Sequence, residues 1–485
     1  MHLELAAPEI CLIVTAILVI FTDLFVANKR WLPIISIVGI FTAAIFTISM
    51  WSGEHRFIFN NMLAVDNYAL FFKLLFLGIA ALLIMASVDY VSKFVRFQGE
   101  YHALVLLATL GMLLMAATTD LISIYIAIEI TAISLYALVG FLKDPKSAES
   151  SLKYLLIGGV ASAILLYGMA LVFGVTGKTQ LTEIAHYIQM MPLSGIMENP
   201  SLMLGMILLI AGFGFKIAAV PFQFWVPDVY EGAPTPITMF LSVASKAAGF
   251  AIIIRVFFTA FSVPEALSAD WGMIIAVISA IGMTLGNLVA ISQVNIKRML
   301  GYSSIAHAGY LLVGLATIGM SQGIDNVGQS STLFYLLAFA VTDLAAFTAV
   351  IAISNKVGSD LIKDFSGMGK QSPLMALALT LALFSLIGFP PTAGFIAKFY
   401  IFSGAVSHDL LWLVIIAVIN TVIAAYYYLR VIKVMWLGKP VTEGKVYTSS
   451  ALELALAIPC AAILILGIVP SFAFEITKRA AELIF

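Results

Sequence analysis

The chain has 485 residues, of which 62% are hydrophobic and 11% charged, with a mean hydropathy of +1.07. A globule with a charged, water-facing skin is excluded, and the composition is that of an all-α polytopic membrane protein. The formal net charge of -1 says nothing about nucleic acid or acidic partners, because in such a chain the position of each charge matters more than the sum.

The start MHLELAAPE is acidic and lacks a basic n-region, so the first helix is expected to stay in the mature protein. Taking about 20 apolar residues as one span, the sequence predicts about fourteen transmembrane helices. The first six are Pro8–Asn28, Leu32–Trp51, Leu70–Tyr90, Ala103–Ala117, Asp120–Leu142 and Leu152–Val175. The next five are Leu202–Phe224, Pro236–Ala260, Trp271–Gln293, Leu300–Met320 and Thr332–Asn355. Leu374–Phe402, Leu410–Leu437 and Ala451–Phe472 complete the set. Cys11 and Cys460, the only cysteines, lie in apolar runs at opposite ends, which argues against any disulfide, metal or iron-sulfur site built on cysteine.

With the amino terminus outside, 16 Lys and Arg fall on cytoplasmic connections, among them Lys93, Arg96, Lys297, Arg298 and Lys445. Only 4 fall outside, namely Arg56, Lys178, Lys478 and Arg479, so both termini are expected to be periplasmic. Glu129 and His307 are 178 apart (307 - 129), and Lys216 and Lys398 are 182 apart (398 - 216). Each offset corresponds to five helices, which predicts two inverted five-helix repeats. The expected organisation is residues 1–101 as an N-terminal three-helix segment, 102–262 as helices four to eight, 263–440 as helices nine to thirteen, and 441–485 as a C-terminal helix. The seventh helix is expected to break near Pro221, and the twelfth at Gly388, Pro390, Pro391 and Gly394.

Charge at the bilayer centre costs about 2.5–3.5 kcal/mol per residue and usually faces protein or a wet cavity. Lys216, Lys246 and Glu129 lie near mid-span, which favours a proton or ion site over snorkelling or helix-pairing roles. His307 titrates near neutrality by default, and its correspondence with Glu129 suggests a relay. Lys398 lies toward the outer end of its segment and joins the set. Arg255 is balanced between a snorkelling anchor and a functional role, while Asp343, Asp23 and Lys73 are weaker candidates. Asp228 and Glu231 either guard a cytoplasmic entrance or cap the eighth helix. No Walker, dinucleotide-binding or HExxH motif is present, so redox or ATP chemistry, if coupled, belongs to another subunit.

The strings FKIAAVPFQFWVPDVYEGAPTPITMFLSVASK, NIKRMLGYSSIAHAGYLLVG and GFPPTAGFIAKFYIF resemble the antiporter-like membrane subunits of respiratory complex I and of related multisubunit cation/proton antiporters. The resemblance runs from about Asp66 to Arg430. It implies a proton-translocating subunit in which Glu129 and Lys216 form a paired switch, Lys246 connects, His307 relays and Lys398 is the terminal lysine. It also implies no cofactor or metal on this chain; NADH, FMN, iron-sulfur clusters and quinone are expected on other subunits. The implied partners are neighbouring membrane-arm subunits and the lipid bilayer, with the whole in a bacterial inner membrane. The alternatives are a cation/proton antiporter subunit, and a structural spacer of the membrane arm.

Overall fold

The computed structural model describes residues 3–51, 55–92, 97–192, 199–262, 265–320, 326–440 and 448–482. Lys93, Arg96 and Lys445, used above for orientation, lie outside them. Among the described residues, twelve helices are long and apolar enough to cross a membrane, and three shorter apolar ones accompany them. Helices are what such runs must form, because lipid offers no partner for an open backbone N–H or C=O.

The first half comprises α1 (Ala7–Phe25), α2 (Trp31–Ser49), α3 (Asn67–Val91), α4 (Gln98–Ala117), α5 (Leu121–Val139) and α6 (Pro145–Thr176). Asp66, Asp120 and Asp144 accept backbone N–H bonds at the starts of α3, α5 and α6, which sets where those helices begin. A short antiparallel hairpin, β1 (Arg56–Ile58) and β2 (Leu63–Val65), joins α2 to α3. This strand pair is absent from the all-α expectation; three residues per strand are too few for a readable alternation. The amphipathic α7 (Leu181–Met190) follows α6 and leads to α8 (Pro200–Lys216).

The helix α8 ends at Lys216, and the chain does not become helical again until α9 (Val226–Gly232). Ala218 takes a left-handed conformation with φ 61°, and the Trp225 indole donates to the Phe215 carbonyl at 3.2 Å. Lys216 therefore stands at a helix end, where sequence alone puts it inside an apolar run. The indole satisfies one carbonyl freed at the helix end, and Ile217 to Val220 are buried in protein.

A continuous helix, α10 (Thr235–Ala260), contains a π turn at Leu241–Ser245 directly before Lys246. After it come α11 (Glu265–Ile291), α12 (Ile296–Met320) and α13 (Val327–Val357). The twelfth predicted segment is two helices, α14 (Pro373–Ile387) and α15 (Ala393–Val406), with Gly388 at φ 89° between them. The chain closes with α16 (Leu411–Leu437), α17 (Ser450–Ile468) and α18 (Ser471–Ala481).

Burial orders these elements. The apolar window of α10 is 100% buried and that of α12 94%, against 28% for α2 and 33% for α17. Thus α10, α12 and α13 form the inside, and the candidate lysines and histidine lie on or against them. The crossing of α11 and α12 is close: the Cβ absent from Gly286 would sit 2.6 Å from the Ala306 amide nitrogen.

Candidate functional site

Lys246 is 2% exposed. Its ammonium donates to both the carbonyl and the hydroxyl of Ser304, which α12 presents across the helix interface. Ser242, one turn earlier on α10, donates to the same hydroxyl at 3.2 Å, and the Tyr230 hydroxyl lies 3.5 Å from it. The Lys246 ammonium also stands 5.7 Å from the centre of the Phe339 ring.

His307 follows Ser304 by three residues and shares its face of α12. Its Nδ1 is 2.9 Å from the Tyr335 hydroxyl, and its ring centre lies 5.0 Å from Phe339 and 5.6 Å from Tyr310. The ammonium of Lys398 lies 4.7 Å from the Tyr310 ring centre. It donates to the carbonyls of Leu386 and Ile387, at 3.0 and 2.8 Å, closing the end of α14 across the break. Phe339 therefore touches both Lys246 and His307, and Tyr310 both His307 and Lys398. Three of the five predicted residues share one aromatic wall.

Lys216, 6% exposed, packs against the same central helix. Its Cβ is 3.6 Å from where Gly249, three residues after Lys246, would carry one. Glu129 is different. It is half-buried on α5 and accepts a hydrogen bond from Ser162 of α6 at 2.5 Å. Its charge is felt at Lys216. Yet among the described residues the two form no direct ion pair, so the contact implied by the resemblance is not made in this structure.

The remaining candidates, Asp343 apart, find partners. Arg255 is no snorkelling anchor: it is 4% exposed, grips Asp66 through Nη1 and Nη2 at 2.9 and 3.0 Å, and donates to the Ala116 carbonyl at 2.9 and 3.1 Å. Lys73 pairs with Glu9 at 2.7 Å, both inside the protein, and Asp23 with Lys29 at 2.9 Å. Asp228 binds Lys153 and Arg298 at 2.8 and 2.7 Å, and Glu231 binds Lys146 and Arg298 at 3.0 and 3.2 Å. Burial alone would raise the Asp228 carboxyl; the hydrogen bonds and charges of Lys153 and Arg298 outweigh it and hold it below the usual carboxylate range. The same holds for Glu231 with Lys146 and Arg298. These acids clamp α9 to α6 and α12. Capping of the eighth helix is not their role, since Pro234 holds that position without a side-chain hydrogen bond.

The family model described as NADH:quinone oxidoreductase/Mrp antiporter, TM, matches residues 118–424. NADH-quinone oxidoreductase subunit N of Dehalococcoides mccartyi is 56% identical over 485 residues, 99% of this chain and 100% of that one. The chain belongs to the subunit N family. A chain of respiratory complex I from Thermus thermophilus with bound aureothin matches with TM-score 0.80 and 30% identity, covering 96% of this chain and 98% of that one. A chain of the Mrp complex from Dietzia sp. DQ12-45-1b has TM-score 0.87 at 20% identity over 99% and 97% of the two chains, a likeness of fold. The interruptions at Lys216 and at Gly388 both lie within the span that the family description matches.

Sequence reading passed over the neutral groups that surround these side chains: Ser242, Ser304, Tyr310, Tyr335 and Phe339. Ser304, His307 and Tyr310 recur at three-residue spacing, so one polar face of α12 was available as a signal. Tyr310 also lies 3.4 Å from Asn287 and from Thr421, and Tyr427 donates to Asn287 at 3.0 Å. Hydroxyls and amides thus continue from the His307 region toward α11 and α16.

Proposed function

We propose that this chain is the proton-translocating membrane-arm subunit of a bacterial NADH-quinone oxidoreductase, in which quinone reduction on other subunits drives proton transfer along buried side chains here. The reading is carried by the row Lys216, Lys246, His307 and Lys398, exposed by 6%, 2%, 4% and 5% respectively. Each charge held at this depth costs about 2.5–3.5 kcal/mol, so the row is expensive unless it has a use. In the proposed order Glu129 and Lys216 act as the switch through space, Lys246 and His307 carry the proton inward along the row, and Lys398 delivers or releases it. NADH, FMN, iron-sulfur clusters and quinone belong to partner subunits. The inner membrane, two periplasmic termini and a pair of inverted repeats, residues 102–262 and 263–440, complete the proposal. The two helix interruptions, one in each half, support it.

The test is proton pumping by the assembled complex in vesicles carrying Lys216→Ala, with the redox rate measured alongside. Pumping and coupled electron transfer are expected to fall together while assembly is retained. Wild-type pumping in the assembled variant would leave the row without a transport role.

A further inference from the structure

The proton row described so far leaves one deeply placed acid unused. Asp343 is on α13 and 2% exposed, inside the protein. Its Oδ2 has no hydrogen-bond donor among the described residues. The side chains that act on its carboxylate are Ser242 and Lys246. Tyr230 of α9 and Tyr428 of α16 are the further titratable groups that feel its charge. An unpaired carboxylate here would be costly, and so would an unpaired ammonium. Asp343 and Lys246 are each other's available counter-charges, separated by two hydroxyls rather than joined.

We propose that Asp343 is a proton-holding site of this subunit, exchanging its proton with Lys246 through the hydroxyls of Ser242 and Ser304. The inference rests on the reading that the chain moves protons. Two of the three links are hydrogen bonds already made in the structure, Ser242 to Ser304 and Lys246 to Ser304. Ser242 stands against the Asp343 carboxylate, Ser242 donates to Ser304 at 3.2 Å, and Ser304 contacts the Lys246 amine by hydroxyl and carbonyl alike. With Asp343 protonated and Lys246 neutral, the acid gives its proton to Ser242. Ser242 gives its own to Ser304, and Ser304 gives its own to the amine. One O–H bond breaks at Asp343 and one N–H bond forms at Lys246, leaving a carboxylate, an ammonium and two intact hydroxyls. The reverse transfer retraces the same bonds.

The proposed site also adjoins the second break. Thr342, next to Asp343, shares a hydrogen bond of 2.8 Å with Ser385 of α14, and Ser385 in turn accepts from the Gly394 amide of α15 at 3.1 Å. A change of charge at Asp343 therefore acts on a segment that is tied to the interruption bearing Lys398. Lys246 thereby has two routes: past Phe339 to His307, and through hydroxyls to Asp343.

The experiment compares Asp343→Asn, Asp343→Glu, Ser242→Ala and Lys216→Ala in the assembled complex, measuring pumping and electron transfer in vesicles. Asn preserves shape but cannot exchange a proton in this way, and coupled pumping is expected to drop about a hundredfold, the low side of what a positioned proton carrier contributes. Glu restores most of it, and Ser242→Ala gives an intermediate loss. Wild-type pumping in Asp343→Asn, with Lys216→Ala impaired, overturns this inference and leaves the proton-row reading standing. Wild-type pumping in both variants removes the two together. Should Asp343→Asn fail to assemble, infrared difference spectra of the wild-type complex and Asp343→Glu decide. A carboxylic-acid C=O band that changes on quinone reduction and shifts in the Glu variant supports a proton on Asp343, and a spectrum identical in the two proteins overturns it.

Discussion

Replacing Asp66 by Asn isolates the worth of the buried ion pair that anchors the outer part of α10. In the native protein Asp66 does two jobs, taking the Ala69 amide at 2.7 Å to start α3 and holding Arg255 bidentately. Asn keeps the shape and the cap but removes the negative charge, leaving the guanidinium inside the protein with the Ala116 carbonyl and the face of Tyr68, 4.8 Å away. Breaking a buried pair by removing one partner costs about 3–5 kcal/mol. Because two Arg255 bonds to Ala116 survive, the lower end, about 3 kcal/mol, is expected for Asp66→Asn. Adding Arg255→Met removes the stranded charge, so the double variant recovers at least half of that loss, although the Ala116 carbonyl at the end of α4 then lacks its donor. The assay is reversible unfolding of the chain in mixed micelles of mild and denaturing detergent, analysed as a double-mutant cycle. A single-variant cost below about 0.5 kcal/mol, the value of an exposed pair, would refute the assignment of Arg255 to a desolvated structural anchor.

Two further outcomes follow from the geometry. Gly286→Ala places a methyl 2.6 Å from the Ala306 amide and 2.8 Å from the Tyr302 carbonyl, so α11 and α12 must part; about 1–3 kcal/mol of stability should be lost. Pumping should fall with it, since α12 carries Ser304 and His307; a variant with unchanged thermal midpoint and pumping would contradict the close crossing. For the α9 clamp, the folded values of Asp228 and Glu231 lie below their unfolded ones. The stabilisation is therefore present above the ordinary carboxylate range near pH ~4 and is lost as pH falls through the folded values. Hydrogen exchange in α9 should stay slow from neutrality down to about pH 5 and accelerate below ~4, with high salt weakening the clamp at neutral pH. Acceleration already at neutral pH in low salt would contradict it.

Most of the helical plan is legible because a span of lipid-compatible residues has few alternatives, and the charges within it stand out one by one. Lys246, His307 and Lys398 could be picked from the sequence for that reason. Their wiring could not. A serine or threonine in a helix commonly satisfies itself on its own i-4 carbonyl, as Ser87 does with Leu83 at 2.6 Å and Thr131 with Ala127 at 3.0 Å. Ser242 and Ser304 look no different in the sequence until α10 and α12 are set side by side. Glu129 has the opposite problem: a carboxylate in an apolar run reads the same whether it faces the interior or the rim. Only the packing of α5 on α6 shows that it is half-buried beside Ser162. The end of α8 at Lys216 was likewise hidden, because the residues of the break, Ile217 to Val220, are as apolar as the helix they interrupt.

The interruption at Gly388 gives Lys398 a companion unlike any other in the row. Its ammonium faces the terminal carbonyls of α14, where the aligned peptide dipoles present roughly half a negative elementary charge. That negative end is made of backbone, so no solution acidity can discharge it. Lys246 answers to a neighbour that can itself be neutralised, whereas Lys398 sits opposite a permanent electrode. One terminus of the row is thus biased by the architecture of the helix, and the middle by chemistry that can be switched.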